Sequence, residues 1–247
     1  MKSFFDPSRA ILEPRFLVTS FTRKTDYELA LPERAIITFS NGDLRRLTEK
    51  GQVSVVAPWQ PFRMIYSLSA STVAVNSFFG GPNIAALVEE LSSFGVREFI
   101  LWGYCGGISA SSRIGSLYIA GRALREDGIS YHYLEDDNEF VSSDWVKEWF
   151  PVAEHEGFQC ADVWSTDAIY RETHQKIADY VRRGITAVEM ETASLYAVCQ
   201  AKGLKAAAFL IVSDLVNTGT WQGGFHTRPF KESVRTMARF ITEKAVL

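Results

Sequence analysis

Short apolar runs alternate with amphipathic stretches along most of the chain, and this alternation limits the folds that it can adopt. Pro82 suits the first turn of a helix, apolar residues follow it at helical spacing, and Gly95 stands where such a helix would end. A buried strand, EFILWG, comes next and runs into the glycine-rich turn GYCGG at 103–107. Strands connected through helices in this way predict a mostly parallel sheet that is covered by helices.

The same pattern extends toward both ends of the chain. Further strands are predicted in AIITFS, QVSVVA, FRMIYSLS, TVAVNSFF, SLYIAGRAL, FQCADVW, TAVEM and KAAAFLIVSD. Further helices are predicted in AIYRETHQKIADYVRRG, in ETASLYAVCQAKG and after Pro229, and residues 125–140 are predicted to form a surface loop. Because no repeat or flexible linker divides the pattern, we expect a single domain over residues 1–247. Its expected architecture is a three-layer α/β/α sandwich around a mixed, mostly parallel sheet.

The composition argues against several classes of protein. A net charge of −3 gives no basic surplus for binding nucleic acid. The longest aliphatic or aromatic run, residues 206–212, is far shorter than the roughly 20 residues of a membrane span, and charged residues and prolines interrupt the N-terminal segment where an export signal would be apolar. The three cysteines and four histidines lack the spacing of disulfide or metal sites. We therefore expect a cytoplasmic protein that uses no metal or other cofactor.

Small and polar residues follow several predicted strands, at the positions where α/β sheets bind ligands. They occur in NGDLRR, in GYCGG, in VEMET and in the VSD sequence that ends at Asp214. Glu191 begins a predicted helix, and a carboxylate there can accept hydrogen bonds from two sugar hydroxyls or can simply favour the positive end of that helix. Asp214 can act as a general acid or can cap a local turn.

These motifs, in this order, resemble the nucleoside phosphorylase type I family, which includes bacterial purine nucleoside phosphorylases, uridine phosphorylases and related nucleosidases. The resemblance extends from about residue 35 to residue 214. It depends on NGDLRR, GGPNIAALVEEL, GYCGGI, REDGISYHY, STDAIYRET, AVEMETASLYAV and IVSD. The resemblance implies the phosphorylase/hydrolase-like fold. It also implies cleavage of the N-glycosidic bond of a nucleoside, with inorganic phosphate as co-substrate, to give a free base and ribose 1-phosphate.

The resemblance also implies a role for individual residues. Asp214 matches the general acid of the purine enzymes, which uridine phosphorylases generally lack, so a purine nucleoside is the expected substrate. Glu191 and Met190 match the residues that hold the ribose. By the same resemblance, Cys105, Gly106, Trp164 and Val188 contact the base, and Gly42, Arg46, Arg63 and Tyr104 contact phosphate. The family assembles as dimers or hexamers whose subunits share residues, which implies a homo-oligomer here and makes Arg63 a residue supplied by a neighbouring subunit.

The GYCGG segment departs from the family pattern on the phosphate side. Leu101 and Tyr104 stand where family phosphorylases commonly have an arginine and a small hydroxyl residue. The tyrosine phenol can still donate one hydrogen bond, but losing one bond to a charged group costs on the order of 1.5 to 3 kcal/mol. Three functions therefore stay open: a phosphorylase, a nucleosidase in which water replaces phosphate, and a nucleoside-binding protein with little turnover.

Overall fold

The computed structural model describes residues 4–49, 54–56, 64–135, 137–217 and 219–246. The helices in these ranges are α1 (Pro14–Thr22), α2 (Asn41–Thr48), α3 (Gly81–Ser93), α4 (Ser130–Tyr133), α5 (Val146–Glu154), α6 (His174–Arg182), α7 (Thr192–Lys202) and α8 (Arg228–Lys244). The strands are β1 (Arg34–Thr38), β2 (Ser54–Val56), β3 (Ile65–Ser67), β4 (Thr72–Asn76), β5 (Glu98–Gly107), β6 (Leu117–Glu126), β7 (Phe140–Ser142), β8 (Phe158–Thr166), β9 (Ala187–Glu189), β10 (Lys205–Leu215) and β11 (Gln222–Gly223).

These strands form one mixed sheet. Its centre is parallel, with β4, β1, β5 and β10 side by side, and β3 and β2 extend it beyond β4 as antiparallel strands. On the other side of β5, the pairing passes from β10 to β6, then to β8 and β9, and returns from β9 to β5. Five strands therefore close into a ring, and the ends of β5, β9 and β10 meet at its mouth.

Helices cover both sides of this sheet. α3 and α7 pack against each other, and α7 also contacts β6, β8 and β10. The ring of Phe209 on β10 packs against Trp149 of α5 and Phe240 of α8, with ring centroids 5.6 and 5.2 Å apart. This arrangement confirms the α/β fold that the alternation of strands and helices predicts.

Strand β10 positions Asp214 at the mouth of the ring. All of its residues from Ala206 to Ser213 are buried, because helices cover both faces of the sheet, and its sequence is therefore a continuous apolar run rather than an alternating one. Asp214 is the first partly exposed residue after this run. The pairing with β5 shifts between Val212 and Asp214, and a bulge at such a position changes the direction of the next side chain.

Two segments that the sequence analysis assigns to turns lie in regular elements. β5 continues through the GYCGG segment to Gly107, because Gly106 and Gly107 pair with β9 on one side and with β10 on the other. A side chain at Gly107 would come within 2.6 Å of the Ser112 Cβ, so glycine here permits close packing instead of a turn. NGDLRR forms most of α2, which Ser40 caps by accepting a hydrogen bond from the Gly42 N–H.

Other differences concern helix boundaries. The predicted surface loop at 125–140 contains α4 and the start of β7, and the helix predicted in AIYRETHQKIADYVRRG begins only at His174, after Thr173 caps it. The helices α1 and α5 contain Pro14 and Pro151, and prolines weaken a helical prediction from sequence. Across the described ranges, no helix is both long and apolar enough to cross a membrane.

Candidate functional site

The ends of three strands bring predicted base-binding residues next to the predicted acid. Gly106 of β5 pairs with Val188 of β9 on one side and with Asp214 of β10 on the other. A Cβ at Gly106 would lie 3.1 Å from a Val188 methyl group and 3.4 Å from Asp214 Oδ2. Gly106, Val188 and Asp214 therefore form one surface, and a larger residue at position 106 would crowd the acid.

Asp214 is held by two hydrogen-bond donors. The Ser213 hydroxyl donates to Oδ1 at 2.7 Å, and the indole N–H of Trp221 donates to Oδ2 at 2.9 Å. The short strand β11 brings Trp221 close, because its Gly223 pairs with Asp214. Trp221 is not recognisable as a site residue from the sequence, since no motif around it indicates that the chain folds back onto β10.

Glu191 lies at the N-cap position of α7 but makes no side-chain capping bond there. Glu189 takes that role instead: its Oε2 accepts hydrogen bonds from the backbone N–H groups of Glu191 and Thr192, both at 2.8 Å. Ser165 donates its hydroxyl to the other oxygen of Glu189. The Glu191 carboxylate accepts a hydrogen bond from the Gly80 N–H at 2.6 Å.

Glu191 lies in a buried environment close to a second acid. Burial raises the pKa of this carboxyl, and the neighbouring Glu189 raises it further, whereas the Gly80 N–H lowers it. A carboxylate has about four sites that accept hydrogen bonds, so Glu191 can accept more than the structure supplies.

Other predicted base and ribose residues have different degrees of exposure. Met190 is partly exposed beside Glu191. Cys105 is buried at the end of β5, and burial raises the pKa of its thiol well above the usual value, as do the nearby acids Glu189 and Asp214. The thiol therefore stays neutral, which is consistent with a lining residue and not with a nucleophile.

Trp164 is not placed for the direct stacking that the resemblance implies. Its side chain is 0% exposed, its strand neighbour is Val188, and its ring packs edge-on against Tyr180 with centroids 4.8 Å apart. A ring without an exposed face cannot stack on a ligand in this arrangement. The physical reason is that α6 covers β8 at this point, so Trp164 packs in the apolar cluster that also contains Val188.

The predicted phosphate residues surround a buried acid that the sequence analysis overlooks. A Cβ at Gly42 would lie 3.2 Å from the Arg46 guanidinium, so these two residues are adjacent, as the motif predicts. Arg46 contacts Asp43 at 3.4 Å, and the Tyr104 hydroxyl donates its hydrogen bond to the other oxygen of Asp43. Burial raises the pKa of Asp43, while Tyr104 and Arg46 oppose this effect. Arg63 lies outside the described residues.

The chain matches the model of the phosphorylase superfamily over residues 33–245. It belongs to the phosphorylase superfamily. The match includes all the strands and every helix except α1, and therefore the whole of the site described above.

Individual relatives of this superfamily member are known by name. It is 33% identical over 147 residues to a protein named guanosine phosphorylase from Halorubrum lacusprofundi, covering 58% of this chain and 61% of the relative. It is 32% identical over 148 residues to a DeoD-type purine nucleoside phosphorylase from Bacillus cereus, covering 57% of this chain and 62% of the relative. The chain thus spans about three fifths of the length of these relatives.

Exposed aromatic residues border the superfamily site. Phe79 precedes Gly80, which binds Glu191, and its ring stacks on Phe39 with centroids 5.9 Å apart. Tyr170 is almost fully exposed two residues before Glu172, whose pKa is raised to about 7 by burial and by the charge of Asp214. Phe79 and Tyr170 therefore leave apolar ring surface exposed on segments next to Gly80 and Glu172.

A cavity of about 500 Å³ lies elsewhere, at the opposite end of β10. Trp145, Tyr196 and Lys205 are among its lining residues, whereas the predicted site residues are not. It is therefore separate from the site at Asp214. Within the described residues, no group of three or more histidine, cysteine or acidic side chains is arranged to hold a metal ion.

Proposed function

We propose that this superfamily member is a nucleoside phosphorylase that cleaves the N-glycosidic bond of a purine nucleoside with phosphate, to give free base and ribose 1-phosphate. One observation carries the proposal: the end of β5 contacts both the predicted phosphate segment and the predicted acid. Tyr104 contacts Asp43 beside Arg46, Gly106 contacts Asp214, and Cys105 between them lies near Glu189. The predicted anion and base residues are therefore within one short segment, and Glu189, near Cys105, ends the strand that precedes Met190 and Glu191.

The two carboxyl groups have separate roles in this reaction. Breaking the bond between C1′ and N9 develops positive charge on the ribose and negative charge on the purine. Asp214, beside Gly106 and Val188, donates a proton to purine N7 as the base leaves. Glu191, which is buried and fixed by Gly80, accepts hydrogen bonds from the ribose 2′ and 3′ hydroxyls.

The names of the relatives support phosphorolysis of a purine nucleoside. One is named guanosine phosphorylase and another purine nucleoside phosphorylase. In this proposal Arg46 leaves Asp43 to bind phosphate, and its side chain is 45% exposed, so it can turn without disrupting the core. No metal or other cofactor is required, because the acid and the ribose-binding group both come from the protein.

Hydrolysis is the second candidate, and the contacts of Asp43 favour it. Arg46 and Tyr104 both contact this acid, and the Gly42 N–H binds Ser40, so each of these groups already has a partner within the protein and a negative charge stands beside them. Water as a nucleophile needs no anion-binding group. The same pocket for ribose and base would then serve a nucleosidase.

The decisive experiment measures release of free base from inosine, adenosine, guanosine and uridine, each with and without inorganic phosphate. A phosphorylase releases purine only when phosphate is present and forms ribose 1-phosphate. Release at the same rate without phosphate selects the nucleosidase. Binding without release from any of the four selects a nucleoside-binding protein and contradicts both enzymatic proposals.

We also propose that the chain forms a homo-oligomer, a dimer or a hexamer. Large apolar side chains are exposed at Phe16, Phe21, Phe78 and Phe79, and such residues are common in interfaces between subunits. Light scattering during size-exclusion chromatography gives the mass directly. A monomer at micromolar concentration would contradict this proposal.

A further inference from the structure

Trp221 lies on the segment that folds back from the end of β10. Its indole N–H donates to Asp214 Oδ2 at 2.9 Å. Gly223, which pairs with Asp214, leaves room for the ring: a Cβ there would be 2.6 Å from Trp221 Cη2. The indole is therefore seated against the backbone of β11, while 66% of its side chain stays exposed at the edge of the site.

The oxygen that Trp221 binds is the one that faces the candidate base pocket. Asp214 Oδ2 lies 3.4 Å from the position of a Cβ on Gly106, beside Val188. The other oxygen, Oδ1, accepts the Ser213 hydroxyl at 2.7 Å. The two donors together fix the rotation of the carboxyl group, and Trp221 acts on the oxygen that would exchange a proton with a ligand.

We propose that Trp221 is a positioning residue for Asp214 that stabilises the carboxylate formed during base release. This inference rests on the proposed function. In that reaction the proton of the Asp214 carboxyl group moves to purine N7 while the bond between C1′ and N9 breaks and its electron pair stays with the base. A phosphate oxygen forms the new bond to C1′, and Asp214 remains as a carboxylate.

The indole N–H binds this carboxylate more strongly than the neutral acid. Hydrogen bonds to ionised acceptors are about twice as strong as those between neutral groups. The stabilisation therefore increases as the proton leaves Asp214, and an interaction that is stronger in the transition state raises kcat without changing substrate binding. Trp221 thus assists only the reactions in which Asp214 gives up its proton.

The first test compares Trp221→Phe, which keeps an aromatic ring but has no N–H, with Trp221→Gln, which has a donor but no ring. With inosine, we expect Trp221→Phe to lower kcat about tenfold with little change in KM, as expected for one lost hydrogen bond to a charged group. Trp221→Gln should recover a substantial part of this kcat. A loss that appears in KM instead, or a Gln variant no better than Phe, would show that the ring and not the N–H matters.

The second test uses 7-methylguanosine, whose base leaves as a neutral molecule without a proton at N7. We expect Trp221→Phe to match the wild type on this substrate, and its effect on inosine to disappear in an Asp214→Asn background. Equal losses on both substrates would overturn the inference. If the wild type releases no base from either nucleoside, the proposed function fails and this inference with it; an active wild type with an unaffected Trp221→Phe overturns the inference alone.

Discussion

Two glutamates near the start of α7 bind different parts of the chain: Glu189 binds the helix itself, and Glu191 does not. Glu189 is fully buried and accepts two backbone N–H groups of the helix and the Ser165 hydroxyl. Glu191 is also buried but binds Gly80, on a different element. Glu189 therefore stabilises the helix terminus, whereas the Glu191 side chain takes no part in capping it.

Replacing each glutamate by glutamine should separate these two roles. Glu191→Gln should lower kcat/KM for a nucleoside by at least about tenfold, because a neutral amide accepts weaker hydrogen bonds from ribose hydroxyls. Its melting temperature should not fall, since the amide oxygen can still accept the Gly80 N–H and no buried acid has to ionise. The matched control, Glu189→Gln, should lower the melting temperature because a buried cap is weakened. Near-normal kcat/KM in Glu191→Gln would contradict the ribose assignment.

The raised pKa of Glu191 predicts how stability depends on pH. An acid whose pKa is higher in the folded state binds its proton more tightly there, so folding stability falls as pH rises from the ordinary glutamate value toward the raised one. Glu191→Gln lacks this loss. The free energy of unfolding can be measured in urea for both proteins. The value for the variant minus the value for the wild type should be larger at pH 8 than at pH 5. A difference that is constant or reversed between these pH values would argue against a buried, ionisable Glu191.

Among the elements, β5 shows what the sequence can and cannot predict. Its apolar run EFILWG is predicted correctly as a buried strand. Its glycine-rich end is predicted as a turn, because glycine patterns do not distinguish a turn from a strand that must approach its neighbours closely. The two strands that pair there, β9 and β10, come from much later in the sequence.

Gly106→Ala tests this close approach directly. The new methyl group would lie 3.1 Å from Val188, which is a tight contact, and 3.4 Å from Asp214 Oδ2, so it should push Val188 and fill the space beside the acid. We expect about a tenfold loss of kcat/KM with purine nucleosides. Gly128→Ala is a suitable control, because its methyl group meets the nearest atom, on Asp167, at an ordinary 3.5 Å. Equal activity of the two variants would mean that Gly106 does not border the substrate.

The start of α2 contains the acid that the motif comparison overlooks. Asp43 stands between Gly42 and Arg46, which are both predicted, but only the structure shows that it binds Arg46 and the Tyr104 hydroxyl. Removing its charge should free Arg46 and reduce repulsion of an anion. We expect Asp43→Asn to lower the KM for phosphate several-fold, on the order of threefold to tenfold, with the nucleoside KM unchanged. Steady-state kinetics at saturating nucleoside measure this, and a higher KM for phosphate would show that Asp43 helps to position Arg46.

At the scale of the whole molecule, the order of apolar runs and helices is enough to predict the α/β fold. The closure of five strands into a ring is not predictable in the same way, because it depends on two residue pairs between β5 and β9. The candidate site, too, is only partly predictable from the sequence. Gly106, Val188 and Asp214 are brought together, whereas the contacts of Asp43 and Trp221 depend on side-chain directions that the sequence leaves open.

A ligand that contacts β5, β9, β10 and α7 at the mouth of this ring should stabilise the entire fold. A ligand at 100 times its Kd adds about 2.7 kcal/mol to the free energy of unfolding, and each kcal/mol raises the melting temperature of a chain this long by roughly 2 to 4 °C. Inosine should therefore raise the melting temperature of Asp214→Asn, a variant chosen to slow turnover, by about 5 to 10 °C.

The same melting experiment, repeated with added phosphate, tests the proposed anion site. If Arg46 leaves Asp43 to bind phosphate, phosphate should add to the shift caused by inosine, whereas chloride at equal ionic strength should not. Arg46→Gln should lose the phosphate shift and keep the inosine shift, because Arg46 is not part of the ribose and base pocket. A shift with inosine alone would favour hydrolysis, since the pocket would then bind the nucleoside without a site for the anion. No shift with inosine would mean that the folded chain does not bind this nucleoside, and it would contradict the roles of Glu191 and Asp214 together.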